Sequence, residues 1–158
     1  MTTVGVSGHI GIRPETRLVV AARIAEELSR LPGPLRGYTS LAAGSDQVFA
    51  WAVLAAGGDI VFVNPCASIE STMPPEALPL FRAARGLAVE EIALPYDEPS
   101  EDAYLAAGEY IDDVADVLIV VYDGLGARGK GGTGDIVARR EATDRVLVNV
   151  WPDGHVRD

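Results

Sequence analysis

A glycine-rich run around the only lysine of the chain has the residue types and spacing that bind an anion. Lys130 lies in the run 129–135, Gly-Lys-Gly-Gly-Thr-Gly-Asp, which follows an apolar strand-like stretch at 116–122 and precedes a helix-like stretch. Glycines let the backbone approach an anion, amide N–H groups point at it, and the dipole of the following helix favours negative charge. The sequence therefore predicts a phosphate-binding loop. Its residues are Lys130, Gly131, Gly132, Thr133 and Gly134.

The same run also fits a simpler structural role. Thr133 could cap the start of the helix while Asp135 complements the positive end of the helix dipole. Lys130 and the neighbouring Arg128 would then be exposed charges in a surface loop. The residues alone leave both interpretations open.

A second glycine-containing loop follows the first strand-like stretch and leads into the first helix-like stretch. Gly8 would let that helix approach a ligand. His9 could hydrogen-bond ribose or phosphate, act as a general acid, or be an ordinary polar loop residue. Arg13 is suited to a bidentate phosphate contact, and equally to a surface ion pair with Glu15 or Glu26.

A third loop contains Gly44, Ser45 and Asp46 and again precedes a helix-like stretch. Ser and Asp at this point cap helices, so a structural role is available to both. The functional interpretation places Asp46 against a ribose hydroxyl or the edge of a base. Both roles remain open.

Asp123 and Gly124 follow the apolar stretch 116–122 and open the loop that holds Lys130. Asp123 could bind ribose, orient His9, or work with Asp135 as an acid/base pair. Two carboxyl groups placed close together would raise the pKa of one of them.

Strand-like and helix-like stretches alternate along all 158 residues, which predicts one domain with an open, mostly parallel α/β sheet and helices on both faces. Ligands bind beyond the carboxyl ends of the strands in such sheets, where the three loops would meet.

The acidic helix 101–114 is predicted to be mainly solvated, the loop 65–75 is long enough to be a lid, and 151–158 are predicted to form a frayed tail. The predicted strands are 3–7, 37–41, 59–64, 89–94, 116–122 and 145–150. The predicted helices are 14–30, 45–56, 75–86, 101–114 and 131 or 133 to 143.

Composition limits the partners and the compartment. The net charge of −10 argues against nucleic acid and against an anionic membrane surface, because both require a positive field. Cys66 is the only cysteine, which fits a reducing cytoplasm. The start of the chain shows no signal peptide, and no apolar stretch is long enough to span a membrane. No metal-ligand spacing occurs, so we expect no cofactor, although Mg²⁺ could arrive with a polyphosphate.

The three loops together resemble the SLOG superfamily of Rossmann-like proteins. The segment 40–46, Ser-Leu-Ala-Ala-Gly-Ser-Asp, resembles a motif of the DNA-processing proteins, and 131–134 resembles the phosphate loop of the Lonely Guy phosphoribohydrolases. The resemblance spans about residues 4–150. It implies a Rossmann-like domain that binds a nucleotide or a phosphoribosyl-like metabolite, and it implies a homo-oligomer.

The sequence departs from the Lonely Guy pattern where that family has its catalytic Glu, because Ala138 stands there. A second resemblance is to the nucleoside deoxyribosyltransferases, in which a strand also ends in Asp-Gly before a Gly-Thr helix start. In that comparison Asp135 is the acidic residue whose sequence position is nearest to that of the family's catalytic Glu.

Three classes of function follow. The first is a ligand-binding or ligand-sensing domain without turnover, which the missing Glu favours. The second is an N-glycosidic hydrolase or transferase that uses Asp123, Asp135 or His9. The third is a structural or interaction module in which the glycine loops are only turns.

Overall fold

Six strands and five helices alternate along the part of the chain that the computed structural model describes, residues 1–125 and 132–156. The strands are β1 (Thr2–Gly8), β2 (Leu35–Thr39), β3 (Asp59–Asn64), β4 (Glu90–Ala93), β5 (Val117–Val121) and β6 (Val146–Asn149). The helices are α1 (Pro14–Ser29), α2 (Ser45–Ala55), α3 (Leu78–Leu87), α4 (Glu101–Val114) and α5 (Thr133–Glu141). A short 3-10 helix, Ile69–Thr72, lies between β3 and α3.

The strands form one sheet in the order β4-β3-β2-β1-β5-β6, and every pair is parallel. The chain adds β2, β3 and β4 on one side of β1 and then crosses to place β5 and β6 on the other. This reversal makes the carboxyl ends of β1 and β5 the topological switch point, where open α/β sheets bind ligands. The prediction of an open, mostly parallel sheet is confirmed.

Helices cover both faces of the sheet, as predicted. Helices α1, α2 and α3 pack on one face around a core that includes Ile24, Phe49 and Phe81, all fully buried. Helices α4 and α5 pack on the other face, where Ile111 and Ile136 meet the buried strand residues. With both faces covered, β3 and β5 carry the continuous apolar runs that are typical of buried parallel strands.

Two elements, β2 and α3, begin two or more residues away from their predicted positions. Strand β2 starts and ends two residues early, because the chain turns at Leu41, whose φ is +56°, and its N–H donates to the Thr39 hydroxyl. Helix α3 starts at Leu78 because a turn precedes it, in which the N–H groups of Ala77 and Leu78 both donate to the Pro74 carbonyl.

The segment after β6 packs against the domain, which differs from the predicted frayed tail. The hydroxyl of Thr16 lies 2.7 Å from Nδ1 of His155, and the indole N–H of Trp151 donates to the His155 carbonyl at 3.2 Å. Sequence reasoning missed this because the docking contacts lie on α1, far away along the chain.

Four charged residues close the opposite end of the sheet, at the amino ends of the strands. Arg140 is fully buried, and its guanidinium donates to the Asp112 carboxylate at 3.0 Å and to the carbonyls of Ala115 and Val146. Arg145 donates to the carbonyls of Asp112 and Ala115, each at 2.8 Å. These donors satisfy carbonyls at the end of α4 that have no partner within the helix. Asp112, Arg139, Arg140 and Arg145 are called the amino-edge cluster below.

Within the described ranges, no helix is long and apolar enough to cross a membrane.

Candidate functional site

A cavity of about 470 Å³ lies beyond the carboxyl ends of β1 and β5. Its walls come from the loop after β1, the segment that enters α2, and the first turns of α4 and α5. The residues after β3 and the 3-10 helix complete the wall. The predicted ligand position at the carboxyl edge of the sheet therefore coincides with a real cavity.

The loop after β1 is locked to the start of α2. The Ser45 hydroxyl is buried and donates to the His9 carbonyl at 2.6 Å. Gly44 has φ of +91°, and a Cβ on it would lie 2.3 Å from the Ile10 carbonyl oxygen. A Cβ on Gly8 would lie 2.3 Å from the Ser45 hydroxyl oxygen. Only glycine permits both approaches, which bring two of the three predicted loops into contact.

His9 lines the cavity with its ring held from several sides. Its Nε2 lies 3.1 Å from Oδ1 of Asp123 and accepts the Asp123 backbone N–H at the same distance. The rings of Tyr122 and Trp151 lie 5.8 and 5.6 Å away. The backbone N–H can donate to Nε2 only when that nitrogen carries no proton. The contact with the carboxylate is a hydrogen bond only when Nε2 does carry one.

Asp46 lies in the first turn of α2 and faces the cavity with 9% of its surface exposed. Its Oδ2 accepts the Ala42 N–H at 3.3 Å. Burial raises the pKa of Asp46 to about 7, although the hydrogen bond from Ala42 acts in the opposite direction. The carboxyl is therefore poised between its neutral and ionised forms near neutral pH.

The first turn of α5 supplies Gly132 and Thr133 to the cavity wall. Gly132 is the residue that precedes the helix, and among the described residues no side chain caps this end. Thr133 is the first helical residue and is buried, so it does not fill the capping role that the sequence left open for it. The amide N–H groups of a first helical turn have no partners within the helix, and of those in α5 the N–H of Asp135 donates to the Gly132 carbonyl at 3.1 Å. This end of α5 thus meets the cavity as a set of hydrogen-bond donors.

The predicted site residues divide into three groups. Those that line the cavity are Gly8, His9, Asp46, Gly132 and Thr133. Those that lie outside its wall are Arg13, Gly44, Ser45, Asp123, Gly124, Gly134 and Asp135. Lys130 and Gly131 fall outside the described residues. Of the second group, Ser45 and Asp123 still act on the cavity, because each holds His9 in place.

Sequence reasoning missed one wall of the cavity. Helix α4, predicted to be mainly solvated, contributes Glu101, Tyr104 and Gly108, and the region of the 3-10 helix contributes Ile69 and Met73. One signal was available. Glycine in the interior of a helix is costly, and a Cβ on Gly108 would lie 2.7 Å from Cδ1 of Ile136, so the glycine permits α4 to approach α5 closely.

Over the described ranges, no group of three or more His, Cys, Asp or Glu side chains is arranged to hold a metal ion.

Comparison with known proteins gives the fold. No family model matches the chain, and no curated protein matches its sequence. Among solved structures, DNA processing protein A (DprA) from Streptococcus pneumoniae superposes over 98% of this chain with a TM-score of 0.69 and 18% identity. DprA from Helicobacter pylori superposes over 99% with a TM-score of 0.67 and 14% identity.

The structural-genomics protein TM1055 superposes over 95% of this chain and 94% of its own length, with a TM-score of 0.56 and 16% identity. By contrast, the present chain spans 54% of the length of the S. pneumoniae protein and 68% of the H. pylori one.

These comparisons correct one prediction. The H. pylori protein is described as having a unique single-stranded DNA binding mode, and it shares this fold. The exclusion of nucleic acid on the ground of net charge is therefore wrong. Net charge sums over the whole surface, whereas binding depends on the local potential at the site. A chain with a charge of −10 can still present a favourable field where helix N-termini converge.

The sheet order indicates the same fold as the two DprA superpositions. The paired glycine loops at the switch point of the sheet also fit that fold. The chain has a Rossmann-like fold that is similar to the folds of the two DprA proteins and of TM1055.

Proposed function

We propose that the carboxyl-edge cavity binds a nucleotide or a phosphorylated ribose metabolite, and that the chain acts as a ligand-binding domain. The observation that carries this proposal is the convergence of three helix N-termini, those of α2, α4 and α5, on one cavity. Each N-terminus contributes a positive dipole end, although the Ser45 N–H of α2 already donates to the His9 carbonyl and the Ala103 N–H of α4 to the Ser100 hydroxyl. An anionic group bound there would gain from all three.

The size and lining of the cavity support a nucleotide-sized ligand. Its volume of about 470 Å³ falls in the range of small-molecule sites, roughly 300–1,000 Å³. One part of the wall is apolar, with Ile69, Met73 and the ring of Tyr104, and suits a flat base. Another part carries Gly132 and Thr133 and suits a phosphate. A nucleoside monophosphate combines the two kinds of surface.

In this proposal the phosphate lies at the first turn of α5, where the Thr133 hydroxyl adds a donor to the backbone amides. Lys130, two residues before Gly132 in the sequence, supplies the neutralising charge. The nucleoside lies across Gly8, His9 and Asp46, which form the neighbouring wall.

Calorimetric titration of the purified protein with AMP, GMP, ribose 5-phosphate and the matching nucleosides tests the proposal. We expect the phosphorylated compounds to bind at least tenfold more tightly than the nucleosides, because only they reach the α5 terminus. Lys130→Ala should weaken binding of the phosphorylated compounds and leave the free energy of unfolding unchanged within about 0.5 kcal/mol.

Arg30→Ala is the matched control, since Arg30 makes only exposed ion pairs with Glu26 and Glu27 at the far end of α1. Equal affinity for nucleosides and monophosphates would overturn the phosphate assignment. A short single-stranded oligonucleotide, added as a competitor, reports whether the cavity lies on a nucleic-acid surface of the kind described for H. pylori DprA.

The His9–Asp123 contact favours a second candidate, N-glycosidic cleavage. An imidazole oriented by a carboxylate at a ligand cavity has the arrangement of a general acid/base. Water would attack the anomeric carbon, the bond to the base would break, His9 would donate a proton to the leaving nitrogen, and the proton lost by the water would return to His9. Release of free base from a nucleoside monophosphate, lost in His9→Gln, would establish this activity.

A further inference from the structure

Asp46 is a buried carboxyl in the wall of the cavity, and in the described part of the chain no cation lies within ion-pairing distance of it. The Ala42 N–H is the one donor there that reaches the carboxyl, and its distance of 3.3 Å makes it a weak contact. An ionised carboxylate in such surroundings lacks the partners that normally offset its desolvation.

None of the other titratable groups near Asp46 forms an ion pair with it in the described part of the chain, and the carboxylate partner of His9 is Asp123. His9 and Glu101 share the cavity wall, and Glu101 adds a second acid. Burial raises the pKa of Tyr104, so that side chain stays neutral at physiological pH. On the other side of the segment that enters α2, a groove of about 250 Å³ carries Arg17 of α1 and Glu76 of the turn before α3, whose charges are opposite.

We propose that Asp46 binds the ligand as a neutral carboxylic acid that donates a hydrogen bond to an acceptor atom of an anionic ligand. Asp46 would then specify a ligand with an acceptor at that point and would couple binding to the uptake of one proton from solvent. This inference rests on the proposed function, because it concerns the same cavity and the same class of ligand.

The physical reason is charge repulsion within a confined, poorly solvated space. A phosphorylated ligand and an ionised Asp46 in one cavity would repel each other with little screening by water. The neutral acid removes that repulsion and adds a donor. Since burial already brings the pKa of Asp46 to about 7, little free energy is needed to hold the proton there at neutral pH.

The test compares the wild type with Asp46→Asn in calorimetric titrations of AMP, GMP and ribose 5-phosphate at pH 6 and pH 8. The Asn amide is neutral at both values and keeps a donor and an acceptor. The ligand phosphate titrates with a pKa of about 6, but this affects both proteins equally, so the ratio of their affinities isolates Asp46. Thermal unfolding of each protein confirms that the variant is folded.

We expect similar affinities at pH 6 and a wild type that is about tenfold weaker than Asp46→Asn at pH 8. This factor follows from a carboxyl that titrates near 7. At pH 7 the wild type should take up about half a proton on binding, measured by repeating the titration in buffers of different ionisation enthalpy. Asp46→Asn should take up less. An affinity ratio that does not change with pH would overturn the inference, and so would a wild type that binds more tightly than Asp46→Asn at pH 8.

A measurement without ligand separates this inference from the proposed function. The ¹³C chemical shift of the Asp46 carboxyl carbon, followed by NMR against pH, should show a midpoint near 7. A midpoint near 4 overturns the inference whatever the cavity binds. A midpoint near 7 together with no binding of any of the three compounds overturns the proposed function, and the ligand role of Asp46 with it.

Discussion

Buried carboxylates have many partners at one edge of the sheet and few at the other. At the amino edge, Asp112 and Arg140 are both almost completely buried, and the donors of the amino-edge cluster meet a carboxylate or a carbonyl. At the carboxyl edge, Asp46 is nearly as buried but has one weak hydrogen bond and borders a cavity. The difference agrees with our proposal that one edge is built for stability and the other for a ligand.

The same contrast appears in the helix termini. The carbonyls at the end of α4 are occupied by arginine side chains, whereas the first turn of α5 has no side-chain cap and faces the cavity. Helix ends that are buried need partners. At the amino edge the protein supplies those partners itself, and at the carboxyl edge an anionic ligand would complete them.

The largest expected effect is at the amino edge. Arg140→Leu should destabilise the fold by about 3–5 kcal/mol, because it removes one of the donors to the buried Asp112 carboxylate and takes the guanidinium partner from the carbonyls of Asp116 and Val146. Urea unfolding measures the change. Arg30→Ala, which breaks only exposed pairs, should change stability by less than about 1 kcal/mol. Similar effects of the two substitutions would refute the structural role of the cluster.

At the carboxyl edge, Asp46→Asn should instead stabilise the protein above neutral pH. The folded-state pKa of Asp46, about 7, lies above the usual aspartate value of 3.8. The folded state therefore holds the proton more tightly, so stability falls as pH rises from about 4 and levels off above about 7. The difference between variant and wild type should grow over this window to at most about 4 kcal/mol.

Urea unfolding of both proteins from pH 4 to pH 8 measures that difference and cancels the contributions of other carboxyl groups. Glu70 and Asp116, for example, have lowered pKa values and act in the opposite direction in both proteins. A difference that stays constant with pH would show that Asp46 is ionised in the folded state.

Gly8→Ala should cause a smaller loss of stability. Gly8 lies where the loop after β1 contacts the start of α2. The added Cβ would lie 2.3 Å from the Ser45 hydroxyl and 2.8 Å from Cβ of Val121, so overpacking should cost about 1–3 kcal/mol. Gly86→Ala in α3 is the control. Nothing lies within 4 Å of its added Cβ, and the helix should gain about 0.5–1 kcal/mol. Thermal unfolding that ranks the two variants in the opposite order would argue against a rigid loop contact.

The sequence was informative wherever a local pattern decides the structure. Helix α4 begins and ends at its predicted residues, and the apolar run of β3 marks a buried parallel strand. The loops with Gly8 and Asp46 were predicted to face a ligand, and both line the cavity. Glycine, helix starts and strand ends are local features, so one sequence reveals them.

What the sequence could not reveal depends on distant contacts. Strand order follows from which strands pair, and the contribution of Tyr104 to the cavity follows from the close approach of α4 to α5. The docking of Trp151 against His9 likewise joins residues from the two ends of the chain. Net charge was misleading about nucleic acid because it sums over the whole surface, whereas the charged residues differ between the two edges of the sheet.

A crystal structure of the protein with a bound nucleoside monophosphate would test the proposed site most directly. We expect phosphate oxygens within hydrogen-bonding distance of the amides of Gly132, Thr133 and Gly134, with the nucleoside against His9 and Asp46. A monophosphate bound elsewhere, or a first turn of α5 that makes no contact with the phosphate, would contradict it.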